Sequence, residues 1–224
     1  MTFSISAGCP ETGAFGIAIS SSSPAVAARC SHARSGVGVV ASQNITDPSL
    51  GAKGLDLMEN GLSASDALEA MLKGYATANW RQIVVLDKTR KAAFHSGSET
   101  LGVNAVASGK DCAAAGNLLA NTDVPAAMVK GFEEASGDLG DRLLAAMQAG
   151  QSAGGEAGPV HSAGLYLVRD VSWPIADLRV DWAEEDPISA LEKLWHLYKP
   201  QLEDYVIRGI DPTAAPSYGV PGDE

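Results

Sequence analysis

Hairpins and paired helices follow one another in two successive blocks along this chain, and no repeated strand-helix-strand alternation breaks that order. The first block opens with alternating residues over 2–7, turns through Pro10-Glu11-Thr12-Gly13, and continues with strands over 15–21 and 36–41. Helices are predicted next over 49–59 and from Ser63 through Leu68, Met71 and Leu72, with the Ser63 hydroxyl placed to cap the backbone at Asp66 and Gly61 between them. The second block has short strands over 82–86 and 91–95 around the polar turn Asp87-Lys88-Thr89-Arg90, and another over 103–107. Stripes at Val124, Met128, Phe132 and at Leu139, Leu143, Met147 predict a helical block that stops at Gly150. The glycine- and alanine-rich stretch 151–159 reads as a mobile loop before strands over 162–168 and 177–181. Asp186-Pro187 opens a last helix, with Ile188, Leu191, Trp195, Tyr198, Leu202 and Tyr205 on one side and Pro200 as an interruption. This order describes an α+β layered sandwich rather than a doubly wound parallel sheet.

Composition narrows the partners. At 224 residues and 46% hydrophobic, the chain has enough apolar material for one domain over 1–210, followed by a Pro- and Gly-rich tail over 211–224 that is expected to be extended. A net charge of -11, with 16 basic residues scattered among 27 acidic ones, argues against nucleic acid and disfavours a polyanionic substrate. Cys9, Cys30 and Cys112 are an odd number at no metal-like spacing, so no disulfide framework and no metal site is expected, and a reducing, cytoplasmic setting fits. His32, His95, His161 and His196 form no metal signature either. No apolar run approaches the ~20 residues of a membrane span, and the start of the chain lacks the features of a signal peptide. Gly36-Val37-Gly38-Val39-Val40-Ala41 imitates a dinucleotide fingerprint, yet it reads as strand throughout, so no cofactor is expected.

The chemistry concentrates at the beginning. If Met1 is removed, Thr2 carries a hydroxyl and a free α-amine on one residue, and an amine titrating near pH ~7.7–8.0 can take the proton of its own hydroxyl. The backbone N–H groups of Ser42 and Gln43 and the side-chain amide of Asn117 are the candidates for stabilising an oxyanion. Gln43 equally suits a loop contact, and Asn117 a cap. Arg81 could hold a substrate carboxylate with its planar fork, or form a surface ion pair. Ser21, at the end of the second strand, and Ser162, at the start of a later one, could line the pocket; Ser162 could also simply begin its strand. A serine-hydrolase elbow at Ser162 is excluded because position 160 is Val. Asp177, Arg179 and Asp181 alternate on one strand face and suit an ion network or a subunit contact.

Ordered segments along the whole chain resemble one family. They are Thr2-Phe3-Ser4-Ile5, Pro10-Glu11-Thr12-Gly13, Ser35-Gly36-Val37-Gly38, Ser42-Gln43, Gly54-Leu55-Asp56-Leu57, Gly61-Leu62-Ser63-Ala64, Arg81-Gln82, Gly116-Asn117, Ala153-Gly154-Gly155, Asp177-Leu178-Arg179-Val180-Asp181 and Ala215-Pro216-Ser217-Tyr218-Gly219. Together they resemble the domain-of-unknown-function 1028 (DUF1028) family, which is similar to the N-terminal-nucleophile (Ntn) hydrolases. That resemblance implies a four-layer αββα sandwich of two antiparallel sheets between helix layers, and attack on an amide carbonyl by the residue left after processing. Proteasome-like members of the superfamily carry an acidic residue near the end of the second strand and a lysine before the third. Here those regions read Ser20-Ser21-Ser22-Ser23 and Arg29-Cys30-Ser31-His32-Ala33-Arg34, so tuning of the amine is expected from elsewhere. The expectation is an amidohydrolase acting on a small amide, with no cofactor; the rival is a non-catalytic ligand-binding or assembly protein on the same fold. The apolar C-terminal helix and the tail suit a homo-oligomer.

Overall fold

The structure, a computed structural model, describes residues 2–219. Its first two strands, β1 (Thr2–Gly8) and β2 (Phe15–Ser21), form a hairpin whose turn is closed by the Cys9 N–H on the Ala14 carbonyl at 2.8 Å. Every residue in both strands is buried, because helices cover one face and a second sheet the other. Phe3, Ile5 and Ala7 point to the helices, while Ser4 reaches the second sheet, following the period of two.

The second sheet is built from β3 (Ser31–Arg34), β4 (Gly38–Asn44), β5 (Arg81–Asp87) and β6 (Ala92–Ser96), in that spatial order. The later strands β7 (Ala105–Gly109), β8 (Cys112–Asn117), β9 (Ser162–Val168) and β10 (Ala176–Val180) complete the first sheet in the order β10-β9-β2-β1-β8-β7. All neighbours pair antiparallel. An apolar layer containing Ile17, Val39, Val84, Leu86 and Ala115 joins the sheets.

Helices close both outer faces. On the smaller sheet lie α2 (Ser49–Glu59) and α3 (Ala64–Leu72), following the short turn α1 (Ala27–Cys30) in the chain. On the larger sheet lie α4 (Val124–Glu134), α5 (Leu139–Ser152), α6 (Pro187–Tyr198) and α7 (Leu202–Ile210). The result is a four-layer αββα sandwich, the layering that the resemblance implies. Among the described residues no helix is long and apolar enough to cross a membrane.

Local chemistry explains the boundaries. Ser63 caps α3 by accepting the Asp66 N–H at 3.2 Å, as its spacing predicts. Pro200 interrupts the last helix, where Lys199–Gln201 forms a 3₁₀ turn between α6 and α7. The strand expected over 36–41 starts at Gly38, whose φ of +143° and close approach to β5 leave no room for a side chain: a Cβ there would lie 2.1 Å from the Leu86 carbonyl oxygen. The loop after α5 is tied down rather than mobile. Ala120 donates to the Gly155 carbonyl at 3.0 Å, Ala157 to the Leu118 carbonyl at 2.9 Å, and Leu119 bridges to Glu156. The described part of the tail folds back on α7, where Arg208 donates to the Pro216 carbonyl at 2.9 Å and lies over the Tyr218 ring. Residues 220–224 lie outside the described residues.

Candidate active site

Strand register places four polar residues in one row at the end of the larger sheet. Ser162 on β9 is opposite Ser21 on β2, and Thr2 on β1 is opposite Asn117 on β8. The β1–β2 register, with Phe3 opposite Ser20, sets Thr2 beside Ser21. Directly opposed residues in antiparallel strands share a face, so all four side chains point between the sheets. Thr2 is 4% exposed and the other three are fully buried. Thr2 Oγ1 lies 3.5 Å from Ser21 Oγ.

An amide chain links this row to the second sheet, and its polarity is set at one end. Gln82 Nε2 donates to the Gly116 carbonyl at 3.0 Å, a group that can only accept. Gln82 Oε1 is therefore the acceptor for Gln43 Nε2 at 2.8 Å and for Asn117 Nδ2 at 3.1 Å. Gln43 Oε1 in turn accepts the Ser4 hydroxyl at 2.8 Å. One Nδ2 hydrogen of Asn117 goes to Gln82, while Oδ1 is buried and has no hydrogen-bond partner among the described residues. Asn117 thus presents an acceptor beside its second N–H, the expected donor to an oxyanion. A buried acceptor without a donor carries a cost of about 1–3 kcal/mol, which an incoming N–H or O–H would relieve.

Glu156 is the residue that sequence reasoning missed. It is the single acidic residue of the stretch over 151–159, and that isolation in a glycine-rich loop was the available signal. Its carboxylate accepts the Ser22 backbone N–H at 3.2 and 3.3 Å, one residue along from Ser21. Burial pushes its carboxyl up to about 7, against the Ser22 hydrogen bond, which favours the charged form.

The remaining candidates divide. Ser162 is engaged structurally: its hydroxyl donates to the Ser23 carbonyl at 2.6 Å and accepts the Val26 N–H at 3.3 Å. Ser42 turns away from Thr2 to the other face of β4 and donates to the Asp47 carbonyl at 2.9 Å. Arg81 also faces the other way, because it precedes Gln82 on β5. Its guanidinium donates to the Tyr75 hydroxyl, the Ile45 carbonyl and the Thr77 hydroxyl, which pins the segment before β5 rather than presenting a fork to a ligand. The Cys30 thiol is buried and 3.4 Å from the Thr46 hydroxyl, and burial raises its pKa, which disfavours a thiolate there. Among the described residues no group of His, Cys, Asp and Glu is arranged to hold a metal.

A solved structure of a similar chain has the same architecture. A crystal structure of protein SPO2555 from Silicibacter pomeroyi, carrying the DUF1028 family model, superposes with a TM-score of 0.83 at 29% identity, covering 88% of this chain and 89% of that one. Anbu (ancestral beta-subunit) from Yersinia bercovieri gives a TM-score of 0.41 at 8% identity over 91% of this chain and 97% of the other. No curated protein matches the chain. The model of the family of unknown function DUF1028 matches residues 2–191, and the chain therefore belongs to the DUF1028 family.

Proposed function

We propose that this protein is an Ntn-type amidohydrolase that cleaves a small amide, with Thr2 as its nucleophile once Met1 is removed. The observation that carries this reading is the row Ser21–Thr2–Asn117, with an elevated carboxyl at Glu156 one residue further along. While Met1 is attached, the Thr2 nitrogen is an amide and cannot act as a base. Its release creates an α-amine at the end of β1, on the residue that pairs with Asn117, and burial raises the Glu156 carboxyl that holds Ser22 next to Ser21.

The steps then follow from the residues. The α-amine takes the proton of Thr2 Oγ1 as that oxygen bonds to the substrate carbonyl carbon, and the carbonyl electrons move to oxygen. When they return, the C–N bond breaks and the amine passes the proton to the leaving nitrogen. A water, deprotonated by the same amine, cleaves the resulting ester and restores the Thr2 hydroxyl. Asn117 Oδ1 orients the amine by accepting one of its hydrogens. Glu156 sets how much of the amine's charge the site favours, in the place where Ser20 to Ser23 supply no acid. The reading also includes a cytoplasmic setting, consistent with three free thiols, and self-association through the C-terminal helix.

The test is covalent capture. Protein that starts at Thr2, treated with a β-lactone, acquires an adduct on the Thr2 peptide that mass spectrometry locates and that Thr2→Ala lacks. The second reading, a non-catalytic binding or assembly protein, is favoured by the small exposure of Thr2, 4%. Equal labelling of wild type and Thr2→Ala would select it.

A further inference from the structure

The four consecutive serines over 20–23 each have a separate task, and one of them connects a cation to the site. Ser20 donates to the Ser162 carbonyl at 2.9 Å and holds β2 to β9. Ser22 gives its N–H to Glu156. Ser23 is the connection. Arg29 on α1 donates through Nη2 to Ser23 Oγ at 2.6 Å, Ser23 Oγ is 2.8 Å from Ser21 Oγ, and Ser21 Oγ is 3.5 Å from Thr2 Oγ1. Through Nη1 the same guanidinium holds the Pro24 and Ala25 carbonyls, so its position relative to Ser23 is set by the loop it braces.

We infer that Arg29 is a positioning residue for the nucleophile, acting on the Thr2 hydroxyl through Ser23 and Ser21. This rests on the reading of Thr2 as a nucleophile. A guanidinium only donates, so Ser23 Oγ must accept at its contact with Arg29, whereas each hydroxyl hydrogen of Ser23, Ser21 and Thr2 can turn toward a neighbouring oxygen, and Ser21 Oγ also accepts the Ser23 N–H at 3.1 Å. With Thr2 protonated, its hydroxyl donates to Ser21 and the Ser21 hydrogen points on toward Ser23. As the proton leaves Thr2 Oγ1 for the amine, the hydroxyls can reverse. Ser21 then donates to Thr2 Oγ1, Ser23 donates to Ser21, and Arg29 remains the donor at the far end. The cation favours this second arrangement because each O–H dipole then has its oxygen toward the guanidinium. No group is transferred along the chain, and the proton count at each serine is unchanged. A cation acting through two hydroxyls takes the place of the lysine that the segment over 29–34 lacks.

The rival is that Arg29 only braces the loop, and a double-mutant cycle separates the two. Wild type, Ser23→Ala, Arg29→Met and the double variant, all prepared to start at Thr2, are compared for the rate of β-lactone addition at Thr2, with circular dichroism and thermal midpoints recorded for each. Ser23→Ala removes the link but leaves the two Arg29–carbonyl bonds, so it separates relay from brace even if Arg29→Met loosens the fold. The expected result is labelling about tenfold slower in Ser23→Ala at an unchanged thermal midpoint, with the double variant no slower than the slower single. Labelling of Ser23→Ala at the wild-type rate, or effects of the two substitutions that multiply, overturns this inference and leaves the nucleophile standing. Wild-type protein that takes no label at Thr2 overturns the nucleophile, and the relay with it.

Discussion

The Glu156 carboxylate accepts the backbone N–H of Ser22 across 134 positions of sequence, which joins the loop after α5 to the exit of β2. Because burial raises this carboxyl from 4.5 to about 7, its charging works against folding. Its contribution to stability is fully present below the unfolded value and is lost as pH rises through the folded one. The substitution Glu156→Gln keeps an acceptor for Ser22 and removes the charge. It is therefore expected to gain on wild type by on the order of 2–3 kcal/mol between pH ~4 and pH ~8. Urea unfolding across that range checks it, and a constant difference between the two proteins would contradict it.

The amide chain makes the identity of residue 117 critical. In Asn117→Asp the donor to Gln82 Oε1 is replaced by a second oxygen, so two acceptors face each other in a buried site. A loss of about 1–3 kcal/mol is expected, read as a lower urea midpoint at unchanged slope. An unchanged midpoint would mean that the chain has reversed its polarity, which the Gly116 carbonyl opposes.

Arg81 is expected to matter for stability and not for chemistry. Arg81→Leu removes three donors from Tyr75, Ile45 and Thr77, and should cost about 1–3 kcal/mol in urea unfolding while β-lactone labelling of Thr2 stays within about twofold of wild type. A fall in labelling far beyond that, at retained fold, would return Arg81 to the site.

Self-association is expected through the C-terminal helices, where Leu197 and Ile210 are 68% and 65% exposed. Sedimentation at micromolar concentration should show a species larger than a monomer, reduced by Ile210→Glu. A wild-type monomer would rule this out.

Much of the fold was legible because the signals were local. The α2 helix spans 49–59 and β9 spans 162–168, as periodicity and flanking turn residues predict. The strand β8 escaped that reading, because Ala113, Ala114, Ala115 and Gly116 have no β-branched or aromatic pattern. Small residues suit its place between β1 and β7, and a Cβ on Gly116 would sit 2.6 Å from Leu119. Likewise β3 is a short edge strand whose Ser31-His32-Ala33-Arg34 shows no apolar alternation. At the site, Thr2 and Ser21 were visible as residue types on strand ends, and Asn117 as a residue type without its strand. Glu156 and Arg29 were not, and Gln82 only as the neighbour of Arg81, because each acts through a partner brought near only by the tertiary fold.

The proposed chemistry turns on the first residue of the working protein. Sequencing the amino-terminal peptide of protein taken from its native source measures this directly, by mass spectrometry without enrichment for either form. Threonine at the first position, corresponding to Thr2, is the expected result. A peptide in which methionine always precedes that threonine would deny the site its base and contradict the proposed chemistry, while leaving the αββα architecture unaffected.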